Sequence, residues 1–116
     1  MNITIVAGAR PNFMKISPII KAIQFATNEG KKINFRLVHT GQHYDKLMSE
    51  QFFNQLGIPA PDSNLECGGG SQAEQTAAIM IKFEKELLLF TPQLVIVVGD
   101  VTSTMACTLT AKKNGY

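Results

Sequence analysis

Short runs of β-branched and apolar residues alternate along the chain with longer stretches in which apolar residues recur every three or four positions. Residues 2–7 (Asn-Ile-Thr-Ile-Val-Ala), bounded by Gly8, read as a buried strand. A helix follows, with Pro11 in its first turn and Met14, Ile16, Ile19, Ile20 and Ile23 at helical spacings through to Phe25, before Asn28-Glu29-Gly30 closes it. Pro18 forfeits a backbone hydrogen bond and crowds the preceding turn, which predicts a kink or a frayed start near Ile16 and Ser17. Residues 33–39 form a second strand ended by Thr40-Gly41, and a second helix is expected over 44–56, with Leu47, Met48, Phe52 and Leu56 inward and Gly57 as stop. The stretch 58–70 is rich in turn residues and leaves room for a short strand around 64–66.

A long helix over 71–90 is signalled by Ala73, Ala77, Met80, Phe83, Leu87 and Leu88, and Thr91-Pro92 ends it because the residue before proline avoids the helical region. Residues 94–98 (Leu-Val-Ile-Val-Val) are uninterruptedly apolar, which predicts a strand covered on both faces. After Gly99-Asp100 a last helix, over 101–113, carries Met105, Leu109 and small residues. Such alternation predicts an α/β fold, a doubly wound, mostly parallel, Rossmann-like sheet with helices on both faces. Right-handed crossovers then bring the strand-to-helix turns to the carboxyl end of the sheet, where open α/β sheets bind ligands.

Composition narrows the function. With 116 residues the chain buries roughly 65% of its unfolded surface, enough for one modest core, so one domain is expected over 1–116. Eleven Lys and Arg against nine Asp and Glu give a net charge of +2 without a block of like charges, which argues against nucleic acid as partner. No apolar stretch approaches a membrane span and the first residues enter a strand directly, so no membrane association and a cytoplasmic location are expected. Cys67 and Cys107 stand alone, which predicts two small buried or half-buried thiols in place of a disulfide framework or a structural zinc. The closing Thr-Ala-Lys-Lys-Asn-Gly-Tyr reads as the last turn of a helix, a stop signal and the start of another element, so the chain is expected to be incomplete.

Three turns hold the candidate chemistry. In Gly8-Ala9-Arg10-Pro11-Asn12-Phe13-Met14-Lys15 a glycine turn, the open amides of a helix amino terminus, an arginine fork and a lysine converge, which suits a phosphate or diphosphate. The same residues also fit a plain turn with solvated cations. In His39-Thr40-Gly41-Gln42-His43 the two histidines flank a turn and not a helix face, which argues against a metal; Gln42 and His43 either bond a ligand or close the next helix's amides. Asp100, in Gly99-Asp100-Val101-Thr102-Ser103-Thr104, is either an active-site carboxylate facing Arg10 across the crevice or a helix cap. Gly68-Gly69-Gly70 leads into Ser71 and Glu74, the outline of a capping box after a flexible connection.

Together, Gly8-Ala9-Arg10-Pro11 with Lys15 and Pro18, Thr40-Gly41-Gln42-His43, and Val98-Gly99-Asp100-Val101-Thr102-Ser103-Thr104 resemble the amino-terminal part of the non-hydrolysing UDP-N-acetylglucosamine 2-epimerases over essentially the whole chain. The resemblance implies two Rossmann-like domains in the GT-B arrangement, of which this chain is most of the first, with the second, UDP-binding domain absent. It implies interconversion of UDP-N-acetylglucosamine and UDP-N-acetylmannosamine for cell-envelope polysaccharides, by elimination of UDP to a 2-acetamidoglucal and its re-addition, with neither NAD nor metal as cofactor. It carries over Arg10 and Lys15 as substrate-binding residues near the diphosphate and sugar, Asp100 as a catalytic, substrate-contacting carboxylate, and Gln42 and His43 as contacts of an allosteric UDP-sugar. Gly68-Gly69-Gly70 departs from the arginine that accompanies that pair in activated members. The family's His-Val-Glu-Ala-Gly-type motif is expected beyond Tyr116, so the fragment alone is expected to be inactive and the whole protein a homodimer. A GT-B glycosyltransferase domain and a self-contained phosphate-binding module are the alternative functions.

Overall fold

The computed structural model describes residues 1–41, 50–99 and 101–116. Four strands, β1 (Asn2–Ala7), β2 (Asn34–His39), β3 (Ser63–Asn64) and β4 (Leu94–Val97), form a parallel sheet in the order β3-β2-β1-β4. β1 is central. It pairs with β2 from Asn2↔Asn34 to Ala7↔His39 and with β4 from Ile3↔Leu94 to Val6↔Val97. The chain leaves β1 first to one side and then to the other, so the strand order reverses between β1 and β4, and their carboxyl ends flank a switch point.

The period of two along β1 sends alternate residues to opposite faces. Ile3, Ile5 and Ala7 join Leu37 under α1 (Arg10–Asn28) and α2 (Glu50–Leu56), where Phe13, Ile16, Ile20, Phe52 and Phe53 complete one core. Val6 and Val38 join the opposite core under α3 (Gln72–Phe90) and α4 (Thr102–Lys113), with Ile79, Phe83, Leu87, Ala106 and Cys107. The doubly wound arrangement expected from the alternation of elements is therefore present, with two helices on each face among the described residues.

Several helix faces differ from the sequence expectation. In α1 the stripe runs through Phe13, Ile16, Ile20 and Ile23, whereas Met14 and Phe25 are exposed; one residue is a turn of 100° about the axis, so seating Ile16 and Ile20 on the sheet selects Phe13 over Met14. The helix is continuous through exposed Pro18, and no frayed start occurs: Ile16 and Ser17 are buried within it, and Ser17 Oγ donates to Leu56 O at 3.1 Å. The start of the second helix, with Leu47 and Met48, lies outside the described residues. In α3, Ile79, Phe83 and Leu87 face inward while Ala73, Ala77 and Leu88 are exposed. The capping box is as expected, Ser71 Oγ accepting from Glu74 N at 3.1 Å and Ser71 N donating to Glu74 Oε1 at 3.2 Å.

β4 is the clearest correction. Its apolar run predicts cover on both faces, yet Leu94 is exposed and Val95, Ile96 and Val97 are half-buried, because among the described strands β4 forms the edge of the sheet. In α4, Met105 and Leu109 point to solvent, and the helix packs through its small residues Ser103, Ala106, Cys107, Thr110 and Ala111. Small side chains let the helix axis approach the sheet closely, which matters for the turn above it.

Both cysteines are buried free thiols, as expected. Burial, reinforced by nearby Cys67, pushes the Cys107 thiol up to about 12. Above about pH 9 the unfolded chain surrenders this proton while the folded one keeps it, so the unfolded state gains and stability falls as pH rises towards 12, on the order of 1 kcal/mol per pH unit. Thermal melts from pH 8 to 10.5 should show a steeper loss in the wild type than in Cys107→Ser, whose hydroxyl does not titrate there. Parallel curves would count against it.

Candidate functional site

The turns after β1 and β4 meet at the switch point and are locked together by close approach. A Cβ on Gly8 would lie 2.0 Å from Ser103 Oγ and 2.9 Å from Ser103 Cβ, so the first turn lies against α4 in a space only glycine leaves open. Gly99 reciprocates from the other side: at φ +93 it adopts a backbone conformation that suits glycine, and a Cβ there would lie 2.5 Å from Asn12 Nδ2. The two glycines thus let the amino-terminal ends of α1 and α4 come side by side. Thr104 Oγ1 donates to Val98 O at 3.0 Å and fastens α4 to the end of β4.

Asn12 organises the first turn, a role its sequence position did not reveal. Buried at the third helical position, its Oδ1 accepts from Gly8 N at 2.9 Å and Ala9 N at 3.0 Å. Asn12 N in turn donates to Ala9 O at 3.0 Å, and Pro11 has no N–H to offer. The expected cradle of open amides is therefore largely used up inside the turn, and recognition of an anion falls to side chains. An amide side chain three residues after a helix cap, reaching back to it, is the signal that would have found this residue.

The structure separates the two cations that the sequence brought together. Arg10, at the first position of α1, is half-buried, and its guanidinium carbon sits 4.7 Å from the centre of the Phe52 ring. Arg10 Nε is buried without a hydrogen-bond partner, and among the described residues Arg10 has no ion pair. Lys15 lies five residues on, roughly 140° further round the helix, and is exposed. Asp100, Gln42 and His43 lie outside the described residues. The first helical residue of α4 is Thr102, which puts the cap position at Val101, without a side-chain cap bond.

In the second turn, Thr40 is fully buried and its amide donates to Ala7 O at 3.0 Å, tying β2 to the end of β1. The buried His39 ring packs on Phe13 with centroids 5.6 Å apart. Gly41, at φ +73, lies where a Cβ would come within 2.8 Å of the Glu66 backbone, so the following loop closes over this turn. Among the described residues no group of three or more His, Cys, Asp or Glu could hold a metal ion, and no helix is long and apolar enough to cross a membrane.

Known proteins of similar sequence and fold share this arrangement of elements. The family model described as UDP-N-acetylglucosamine 2-epimerase matches residues 26–116. The UDP-N-acetylglucosamine 2-epimerase of Methanocaldococcus jannaschii is 40% identical over 113 residues, covering 97% of this chain and 30% of the relative. The UDP-2,3-diacetamido-2,3-dideoxy-D-glucuronate 2-epimerase of Pseudomonas aeruginosa is 43% identical over 113 residues, covering 97% of this chain and 31% of the relative. The crystal structure of the M. jannaschii enzyme in complex with UDP-GlcNAc and UDP superposes with a TM-score of 0.84 at 38% identity, over 98% of this chain and 30% of that one. The chain thus spans about 30% of the length of the relatives it matches.

Proposed function

The chain belongs to the UDP-N-acetylglucosamine 2-epimerase family, and from that membership we propose that it builds one wall of an active site that inverts C2 of a UDP-linked 2-acetamido sugar. The substrate is UDP-N-acetylglucosamine and the product UDP-N-acetylmannosamine. A base removes the C2 proton, the C1–oxygen bond to the diphosphate breaks, and UDP leaves as the C1–C2 double bond of a 2-acetamidoglucal forms. UDP then returns to C1 as a proton is delivered to the other face of C2. Such a departure needs positive charge where the diphosphate accumulates negative charge, and the C2 proton needs a positioned base.

The observation that carries this assignment is Arg10, a half-buried cation at the switch point with no carboxylate partner among the described residues. Arg10 faces the diphosphate, Lys15 adds charge from the second turn of α1, and Asp100 supplies the carboxylate. Most uridine contacts come from the part of the protein that this chain does not span. The whole protein works in the cytoplasm as a homodimer.

A second substrate is favoured by one observation, the 43% identity to an epimerase of a UDP-diacetamido-glucuronate. Both substrates can be offered in deuterated water to the full-length protein and to the 116 residues alone. The full-length protein should exchange the C2 proton of UDP-N-acetylglucosamine and yield its epimer, and the 116 residues should do neither. Turnover of the diacetamido-uronate alone would transfer the assignment to that substrate; sugar transfer to an acceptor without any C2 epimer would overturn it.

A further inference from the structure

We infer that Phe52 is a positioning residue for Arg10, its ring presenting the guanidinium to an anionic ligand through a cation–π contact. The inference rests on the proposed diphosphate role of Arg10. An arginine at the first position of a helix stands beside the positive end of the helix dipole, which disfavours its charge there. Among the described residues no carboxylate pairs with it, and its buried Nε lacks an acceptor. The electron-rich face of Phe52, 4.7 Å from the guanidinium carbon, takes the place of that acceptor.

Phe52 is itself immobilised. It is buried in α2 and meets Phe53 at 5.3 Å and Phe13 at 6.3 Å, both edge to face. Phe13 lies on α1, three residues after Arg10, so the helix that carries the cation and the helix that carries the ring are locked through the same aromatic cluster. A ring leaves the guanidinium's charge intact, where a carboxylate would neutralise it. The arrangement restricts Arg10 while keeping its affinity for an incoming diphosphate, and the ordering cost of that side chain is met before binding.

The side-chain Nε–H resonance of Arg10 reports both parts of this arrangement in the 116-residue chain. In the wild type it should be shifted by the ring current of Phe52, exchange slowly, and move on addition of inorganic pyrophosphate. Phe52→Leu, which keeps apolar bulk without a π face, should abolish the ring-current shift, speed exchange and weaken pyrophosphate binding about fivefold. Phe52→Tyr should retain all three properties. Phe53→Leu, a comparable loss in the same cluster, should leave the Arg10 resonance in place, and in an Arg10→Ala background Phe52→Leu should cost no further affinity. If Phe53→Leu disturbs Arg10 as much as Phe52→Leu does, or if Phe52→Leu binds pyrophosphate like the wild type, the positioning role is overturned while the site stands. If wild-type Arg10 ignores pyrophosphate, the proposed site falls and the positioning role falls with it.

Discussion

Asp100→Asn should lower the proposed epimerase turnover of the full-length protein by about 10² to 10⁴-fold, the range that a positioned acid or base contributes, while its melting temperature stays close to that of the wild type. Asparagine caps a helix as well as aspartate does, so if Asp100 served only as a cap the substitution would leave both activity and stability nearly unchanged. The observed cap position of α4 is Val101, without a side-chain cap bond. Asn is also close to Asp in size and shape, so what the substitution removes is the negative charge and the ability to take a proton. Steady-state turnover of UDP-N-acetylglucosamine and a thermal melt of the same preparation decide the matter. Normal turnover would remove Asp100 from the catalytic set.

Glu86→Ala should destabilise the domain by about 3 kcal/mol, a fall in melting temperature on the order of 15 °C for a chain of this size. Glu86 lies on the inner face of α3, its side chain only 7% exposed, and pairs with Arg36 on β2, whose side chain is 25% exposed. Removing the carboxylate leaves a guanidinium partly shut away from water without its counter-charge. The reverse deletion, Arg36→Ala, strands an even more deeply buried carboxylate and should cost at least as much. Replacing both by apolar residues of similar volume should recover most of the loss, since the attraction between the charges largely offsets their own desolvation. Chemical denaturation of the two single variants and the double variant measures this coupling; additive losses would contradict it.

The alternation of elements was legible because it depends on local spacing. A strand buried on two faces and a helix buried on one leave different periods in the sequence, and caps such as Ser71 with Glu74 are local too. Helix faces were less legible. Met14 and Phe13, or Leu88 and Leu87, are equally apolar, and which one points inward depends on the angle at which the helix meets the sheet. The run 94–98 departs from expectation for a related reason: its composition suits burial, but its place at the edge of the described sheet is a property of strand order. The pairing of Arg36 with Glu86 joins residues fifty positions apart and has no local signature.

By itself the sequence determined the doubly wound class, the gathering of three turns at one end of the sheet, and the family, since each rests on residue types at short spacings. Only the tertiary structure decided how the candidate site is supplied with charge. Arg10, on α1, is laid on Phe52 of α2, and the turn it stands on is packed against Ser103 of α4. The physical reason is that hydrogen bonds and ring contacts between distant segments depend on how closely α1, α2 and α4 pack. That packing is governed by the absence of a side chain at Gly8 and Gly99 and by the aromatic cluster beneath the first turn.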